Sequence, residues 1–150
     1  MAFREYEFRV AVRALGEGRT LVKAPGKESF EVAVPPEFGG TDTSIWSPED
    51  LLVAAVASCY AVTLEGALDR AGVSARTFDV DGAGHVQKGP KGSVFTAIEL
   101  RVAVEANEAS FPAVEQAVRQ AQERCLVGRA LATPVQVALE PGTAAARRAA

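Results

Sequence analysis

Ser47-Pro48-Glu49-Asp50-Leu51-Leu52-Val53-Ala54-Ala55-Val56-Ala57-Ser58-Cys59-Tyr60 is where the chain changes its periodicity, and the fold turns on how that stretch is read. Ser47 suits an N-cap, Pro48 the first helical position, and Glu49 and Asp50 the electropositive first turn. The predicted helix runs to about Arg70, with Gly72 as its stop. Leu52, Ala55, Val56, Cys59 and Val62 recur at spacings of three and four and are expected to form its buried face. Residues 51–62 are apolar nearly all round, which makes this a central helix rather than a surface layer.

On either side of the helix the period falls to two, the signature of strands with one covered face. Upstream, Tyr6, Phe8, Val10 and Val12 alternate with Glu7, Arg9, Ala11 and Arg13. The turn Gly16-Glu17-Gly18, a short strand at Thr20–Lys23 and a further alternation at Phe30, Val32 and Val34 follow. Pro35-Pro36 ends that run, since neither residue can donate to a ladder, and residues 37–45 read as loop. Downstream, 77–86 and 93–105 flank the glycine-containing turn Lys88–Gly92 as a hairpin. Ser110 and Pro112 open a second helix with Val114, Ala117, Val118, Ala121 and Cys125 along one face, and Val135, Val137 and Leu139 close with a strand. The order β-β-β-α-β-β-α-β predicts an α+β fold in which antiparallel sheets pack on the central helix. One domain over residues 1–142 is expected, with 143–150 a flexible tail.

At 150 residues the chain is long enough for one self-supporting core, and 48% hydrophobic with 23% charged residues is ordinary for a globular protein. A net charge of −3 and no basic stripe interleaved with aromatics argue against nucleic acid as partner. The N-terminus lacks the apolar run of a secretory signal, and the apolar stretch Leu51–Val62, interrupted by Ser58, is short for a bilayer span. A soluble, cytoplasmic protein without membrane association is expected.

Cys59 and Cys125 have no CxxC spacing, and His85 is the single histidine, so zinc has no ligand set here. Without a signal peptide the pair does not read as a secreted disulfide framework. Two buried structural thiols or a redox pair remain, and periodicity does not decide between them.

The sequence Ser47–Tyr60 quoted above resembles the cysteine helix of the osmotically inducible protein C and organic hydroperoxide resistance (OsmC/Ohr) family. There a Pro-Glu-x-Leu-Leu start leads through small residues to a reactive cysteine and an aromatic. Ala121-Gln122-Glu123-Arg124-Cys125-Leu126-Val127-Gly128-Arg129-Ala130-Leu131 is similar to that family's second-cysteine segment, except that the family commonly carries proline where this chain has Leu126. The resemblance covers roughly residues 10–140 and implies a thiol peroxidase of organic hydroperoxides. In it, Cys59 attacks the peroxide, Cys125 resolves the sulfenic acid as a disulfide, and an external dithiol, such as a lipoyl group, restores both thiols. It implies no bound cofactor and no metal.

A peroxidatic cysteine reacts as thiolate, whereas an unperturbed thiol has a pKa of about 8.5, so a cation is needed nearby. The resemblance assigns that role to Arg19 in the early glycine-rich turn, with Arg13 as the alternative, and gives Glu49 the task of orienting the arginine. Glu49 also suits the helix dipole on its own account. Glu49 and Cys59 lie about 15 Å apart along one straight helix. Two such helices packed about a two-fold axis would bring Glu49 of one subunit toward Cys59 of the other, which fits the intertwined homodimer of the family. His85, in a strand beside Gly84, is expected to be structural or exposed. Trp46, Tyr60 and Phe38 are candidates for an apolar substrate pocket, a core or a dimer seam. The alternative to a peroxidase is a dimer of the same fold that binds an apolar ligand or partner without turnover.

Overall fold

The computed structural model describes residues 2–75 and 77–140. The expected tail at 143–150 lies outside the described residues. The described chain falls into two compact units that divide between Leu51 and Leu52.

The first unit carries a three-stranded antiparallel sheet, β1 (Ala11–Gly16), β2 (Arg19–Lys23) and β3 (Phe30–Ala33), in the order β1-β2-β3. Gly16-Glu17-Gly18 makes the β1–β2 turn with all three residues at positive φ. The alternation predicted from Tyr6 begins as a paired strand only at Ala11; Tyr6, Phe8 and Val10 are exposed and lie outside the strand. Alternation marks a segment able to form a strand, but a strand needs a neighbour to pair with, and β1 has its partner β2 only from Ala11 onward. Pro35-Pro36 ends the sheet as expected, and a single 3₁₀ turn, Pro36–Phe38, leads into the loop.

Helix α1, Pro48–Arg70, has the predicted bounds. The Ser47 hydroxyl accepts from the Asp50 N–H at 3.0 Å, and Asp50 Oδ2 accepts from the Ser47 N–H at 2.8 Å. This reciprocal cap is worth about 1 kcal/mol and explains why Ser47, a polar residue, is buried. At the other end Gly72 takes φ +67, the left-handed conformation that ends a helix.

The second unit holds β4 (Thr77–Gly89), β5 (Gly92–Glu105), α2 (Phe111–Arg124), α3 (Leu126–Ala130) and β6 (Val135–Glu140). Strands β4 and β5 form the expected hairpin, longer at its tip than the sequence suggested. Strand β6 pairs with β5 in parallel, so this sheet is mixed and the expectation of purely antiparallel sheets is corrected. The chain crosses over from β5 through α2 and α3, and that connection returns it in the same direction. The core lies between this sheet and the helices: Val56, Tyr60, Leu64, Ala67 and Leu68 of α1, Ile98, Leu100, Val102 and Val104 of β5, and Val114, Ala117, Val118 and Ala121 of α2. The Tyr60 hydroxyl donates to the Val118 carbonyl at 3.1 Å and pins α1 to α2. Gly82 and Gly84 let β4 cross α1 closely, because a Cβ on either would sit within 2.8 Å of a Val53 methyl.

The buried stripe of α1 is therefore rotated from the predicted one. Val56 is common to both, but Ala55 and Val62 are exposed and Leu52 and Cys59 are half-buried. A helix apolar on every side carries no periodic signal of which side meets the sheet. By length and composition α1 could cross a membrane, contrary to the estimate from the shorter 51–62 run. Its stripe from Val56 to Leu68 nonetheless packs as the core of a globular unit.

Candidate functional site

Cys59 sits mid-way along α1, half-buried against the core of the second unit. Its carbonyl accepts the Thr63 hydroxyl at 2.7 Å, a local bond that leaves the thiol free. Cys125 is not on a helix face as predicted. It occupies the break between α2 and α3, with φ −61 and ψ 108, capping the end of α2 through its N–H to the Ala121 carbonyl and opening α3. The extended ψ at Cys125 stops α2, and the Gly128 N–H then points back at Cys125 Sγ, at 3.5 Å. Leu126, where the family commonly carries proline, starts α3 and is exposed.

Cys59 and Cys125 are both free thiols, and they are near enough for Cys59 to act on the protonation of Cys125. Burial raises the Cys125 thiol above its ordinary range; the Gly128 N–H opposes that, and the neighbouring Cys59 adds to it. A buried thiol held protonated is a weak nucleophile. Next to this pair, Tyr60 is fully buried, and burial followed by the proximity of Cys125 pushes its phenol upward. A cavity of about 280 Å³ opens beside Cys125, lined among others by Tyr60, Gln122, Gly128, Arg129 and Val135.

The remaining predicted residues belong to the first unit. Arg19 opens β2, and its guanidinium is held at 2.7 Å by Asp42 and at 3.5 Å by Glu31. Asp42 is itself fixed by Ser44, whose N–H and hydroxyl donate to Oδ1 at 2.9 and 2.6 Å. These Ser44 bonds, with a smaller contribution from Arg19, hold the Asp42 carboxyl below its usual range. Glu49 lies in the first turn of α1, and its Oε2 is out of contact with solvent and accepts no hydrogen bond. The carboxylates that hold Arg19 are thus Asp42 and Glu31, while Glu49 keeps an unmatched oxygen. Arg13 is exposed on β1 opposite Leu21.

His85 lies 3.5 Å from Glu99 on the exposed hairpin. Of the three aromatics, Tyr60 is core and cavity wall, whereas Trp46 and Phe38 remain partly exposed. No cluster of potential metal ligands occurs among the described residues. Sequence reasoning missed Asp42, although Asp42-Thr43-Ser44 carries the spacing of an Asx turn. It also missed Gly128, whose N–H reaches the Cys125 sulfur.

Residues 40–140 match the family described as OsmC-like protein. No curated protein matches the chain. Among solved structures, an OsmC-like protein of unknown function from Vibrio cholerae is 17% identical, with a TM-score of 0.82 over 91% of this chain and 100% of that one. An organic hydroperoxide resistance protein from Elizabethkingia anophelis is 20% identical, with a TM-score of 0.74 over 91% and 95%. The organic hydroperoxide resistance protein OhrB of Bacillus subtilis is 19% identical, with a TM-score of 0.71 over 90% and 98%. At these identities the likeness is one of fold.

Proposed function

The chain belongs to the OsmC-like protein family, and from that premise we propose that it is a thiol-dependent peroxidase of organic hydroperoxides. The observation that carries the proposal is the pairing of two free thiols, a half-buried Cys59 beside a buried Cys125. A thiol held protonated by burial is the poorer peroxide nucleophile, which favours Cys59 for the attack and Cys125 for resolution. Several solved structures of the same fold are named organic hydroperoxide resistance proteins, which agrees with this chemistry.

In the proposed cycle the Cys59 thiolate attacks the terminal peroxide oxygen. The O–O bond breaks, the alkoxide leaves and takes a proton as the alcohol, and Cys59 becomes a sulfenic acid. The Cys125 sulfur then attacks Cys59 Sγ, forming the disulfide and releasing water. An external dithiol, a lipoyl group being one candidate, supplies two electrons and two protons and leaves as its own disulfide. Arg19, released from Asp42 and Glu31, is the cation proposed to hold the Cys59 thiolate, and Glu49 is the carboxylate proposed to receive it.

We further propose a homodimer. Val12, Leu15 and Phe30 of the first sheet, Trp46 before α1 and Val62 on α1 are all exposed apolar side chains that a second copy could cover. A second copy covering them would bury more than about 2,000 Å² in total, the range of obligate dimers.

One equivalent of an alkyl hydroperoxide tests the central reading. Wild-type protein should lose both thiols together and two hydrogens in mass. Cys125→Ser should instead gain oxygen on Cys59 and stop after one turnover. Thiols that survive the treatment would leave a ligand-binding dimer of this fold as the better account.

A further inference from the structure

Cys125 is the sulfur that has to attack a sulfenic acid, yet burial holds its thiol protonated. The way the chain breaks at this residue bears on that difficulty. In a continuous helix the N–H of residue 128 would donate to the carbonyl of residue 124. Cys125 leaves that ladder at ψ 108, once its own N–H has met the Ala121 carbonyl at 2.9 Å. The helical pattern resumes when the Arg129 N–H reaches the Cys125 carbonyl at 3.0 Å. The Gly128 N–H falls between the two ladders and points at Cys125 Sγ, 3.5 Å away. A Cβ on Gly128 would lie 3.4 Å from the same sulfur, a measure of how closely this residue meets it. The observation is one donor aimed at one sulfur, and the dipole of the five-residue α3 plays no part in it.

Resting on the peroxidase reading above, we infer that the Gly128 N–H serves the resolving step, aiming the Cys125 sulfur and holding the negative charge it carries as it attacks Cys59. In that step Cys125 gives up its proton and its sulfur bonds to Cys59 Sγ. The S–O bond of the sulfenic acid breaks, and the departing hydroxide takes a proton to become water. A hydrogen bond to a thiolate is stronger than one to a thiol, so the N–H favours the reacting form over the resting one. The Val127 N–H acts in the same direction with a smaller effect. The other groups around this sulfur do not replace the donor. The Cys59 thiol of α1 opposes ionisation of Cys125. The Tyr60 phenol, itself pushed up by burial, stays neutral and is committed to the Val118 carbonyl. Gln122 of α2 donates to the Val135 carbonyl of β6, and Arg129 of α3 is exposed at the edge of the adjoining cavity. No carboxylate is among the described residues lining that cavity.

Native chemical ligation at Cys125 allows this donor alone to be removed. Residues 1–124, as a thioester, are joined to a synthetic peptide of residues 125–150 in which an ester replaces the Val127–Gly128 amide. An oxygen then stands where the N–H was, and the all-amide chain made in the same way is the reference. A carbon-13 label at Cys125 Cβ reports its titration. With Cys59→Ser in the first fragment, the Cys125 midpoint should rise in the ester chain, leaving about tenfold less thiolate at neutral pH. With Cys59 present, one equivalent of an alkyl hydroperoxide should add oxygen to Cys59 at the same rate in both chains. Closure of the disulfide should then be about tenfold slower in the ester chain at neutral pH and recover in part as pH rises. An ester at Leu126–Val127 disturbs the backbone equally but removes the weaker donor, so both effects should be smaller there. Leu126→Pro keeps the Gly128 N–H and follows a residue already extended, as proline requires, so it should match the reference in midpoint and closure. An unmoved midpoint, a closure rate that does not follow it, or equal effects from the two esters would overturn the inference and leave the peroxidase standing. A reference chain that takes up no oxygen from the hydroperoxide overturns the peroxidase reading instead. The donor is then decided by the attack of Cys125 on a Cys59–thionitrobenzoate disulfide, where slower release of thionitrobenzoate from the ester chain supports it and equal release overturns it.

Discussion

The two units of the chain use the same strand pattern and end in opposite states. In residues 52–140, Val56, Tyr60, Leu64, Ile98, Leu100, Val102 and Val114 are all fully buried. In residues 2–51 the buried positions are Val32, Ala33 and Ser47, while Val12, Leu15 and Phe30 stay exposed although β1 and β3 are regular strands. Alternation states that a strand has an apolar face and says nothing of what covers it. The first unit is fixed instead by polar ties: the Ser47–Asp50 cap, the Ser44–Asp42 turn and the clamp of Asp42 and Glu31 on Arg19. The two sulfurs lie in the packed unit, where neighbouring side chains hold them in register. The candidate cation lies in the unit held by exposed ion pairs, which are individually weak and can be exchanged.

The comparison breaks most sharply at Cys59. Cys59→Ser should abolish peroxide consumption, because a neutral hydroxyl is not a peroxide nucleophile, while the circular dichroism spectrum and thermal transition stay close to wild type. Residual turnover at the wild-type rate would remove Cys59 from the chemistry. Next in size is a paired stability measurement. Leu64→Ala, in the packed unit, should cost about 2–5 kcal/mol in urea unfolding. Val12→Ala should cost little in dilute protein and more as concentration rises, since a second copy is what would cover Val12. A concentration-independent loss as large as that of Leu64→Ala would mean the first sheet buries Val12 within its own chain.

Arg19→Ala should slow oxidation by an alkyl hydroperoxide about tenfold at neutral pH and recover part of the rate as pH rises, as expected when a thiolate loses its counter-charge. Stopped-flow oxidation against pH would show it. A profile that does not move would transfer the role to Arg13 or to another cation.

What could be read from the sequence follows the same divide. Helix α1 was legible at both ends, because Ser47, Pro48, Asp50 and Gly72 are local signals that act within one turn. The hairpin and α2 were legible for similar reasons. The side of α1 that is buried was not, because Leu51–Val62 is apolar in every direction and the deciding contacts come from β5 and α2. Nor was the parallel pairing of β6, which is set by the route of the chain through α2 and α3. At the site, both cysteines could be picked out from the sequence, but the break in the helix at Cys125 could not. Leu126 is a good helix former, and the break comes from the extended backbone of Cys125 itself. Asp42 escaped because an Asx turn at 42–44 shows only that a turn forms, not that its carboxylate faces an arginine more than twenty residues earlier.

The smallest effect is expected at Asp42, and it tests whether polar ties really define the first unit. Its carboxyl is held below the usual range chiefly by the hydroxyl and N–H of Ser44, with Arg19 adding to both. A depressed folded-state pKa means that the carboxylate's contribution to stability is fully present above the unfolded value. It is lost only as pH falls through the lower, folded one. From neutrality down to about pH 4 the turn should therefore hold, and it should loosen only in more acidic solution. The Ser44 amide resonance, which reports the bond to Oδ1, should titrate with a midpoint below that of a free aspartate. Over the same range the methyl signals of Ile98 and Leu100 should stay still, because among the described residues of the packed unit no carboxylate is buried. Asp42→Asn should bring the acid-form shift of Ser44 to neutral pH, since the amide keeps one acceptor but loses the charge that holds Arg19. A Ser44 midpoint at or above the free-aspartate value would mean that the clamp on Arg19 does not persist in solution, and the division between a packed unit and a polar-tied one would have to be redrawn.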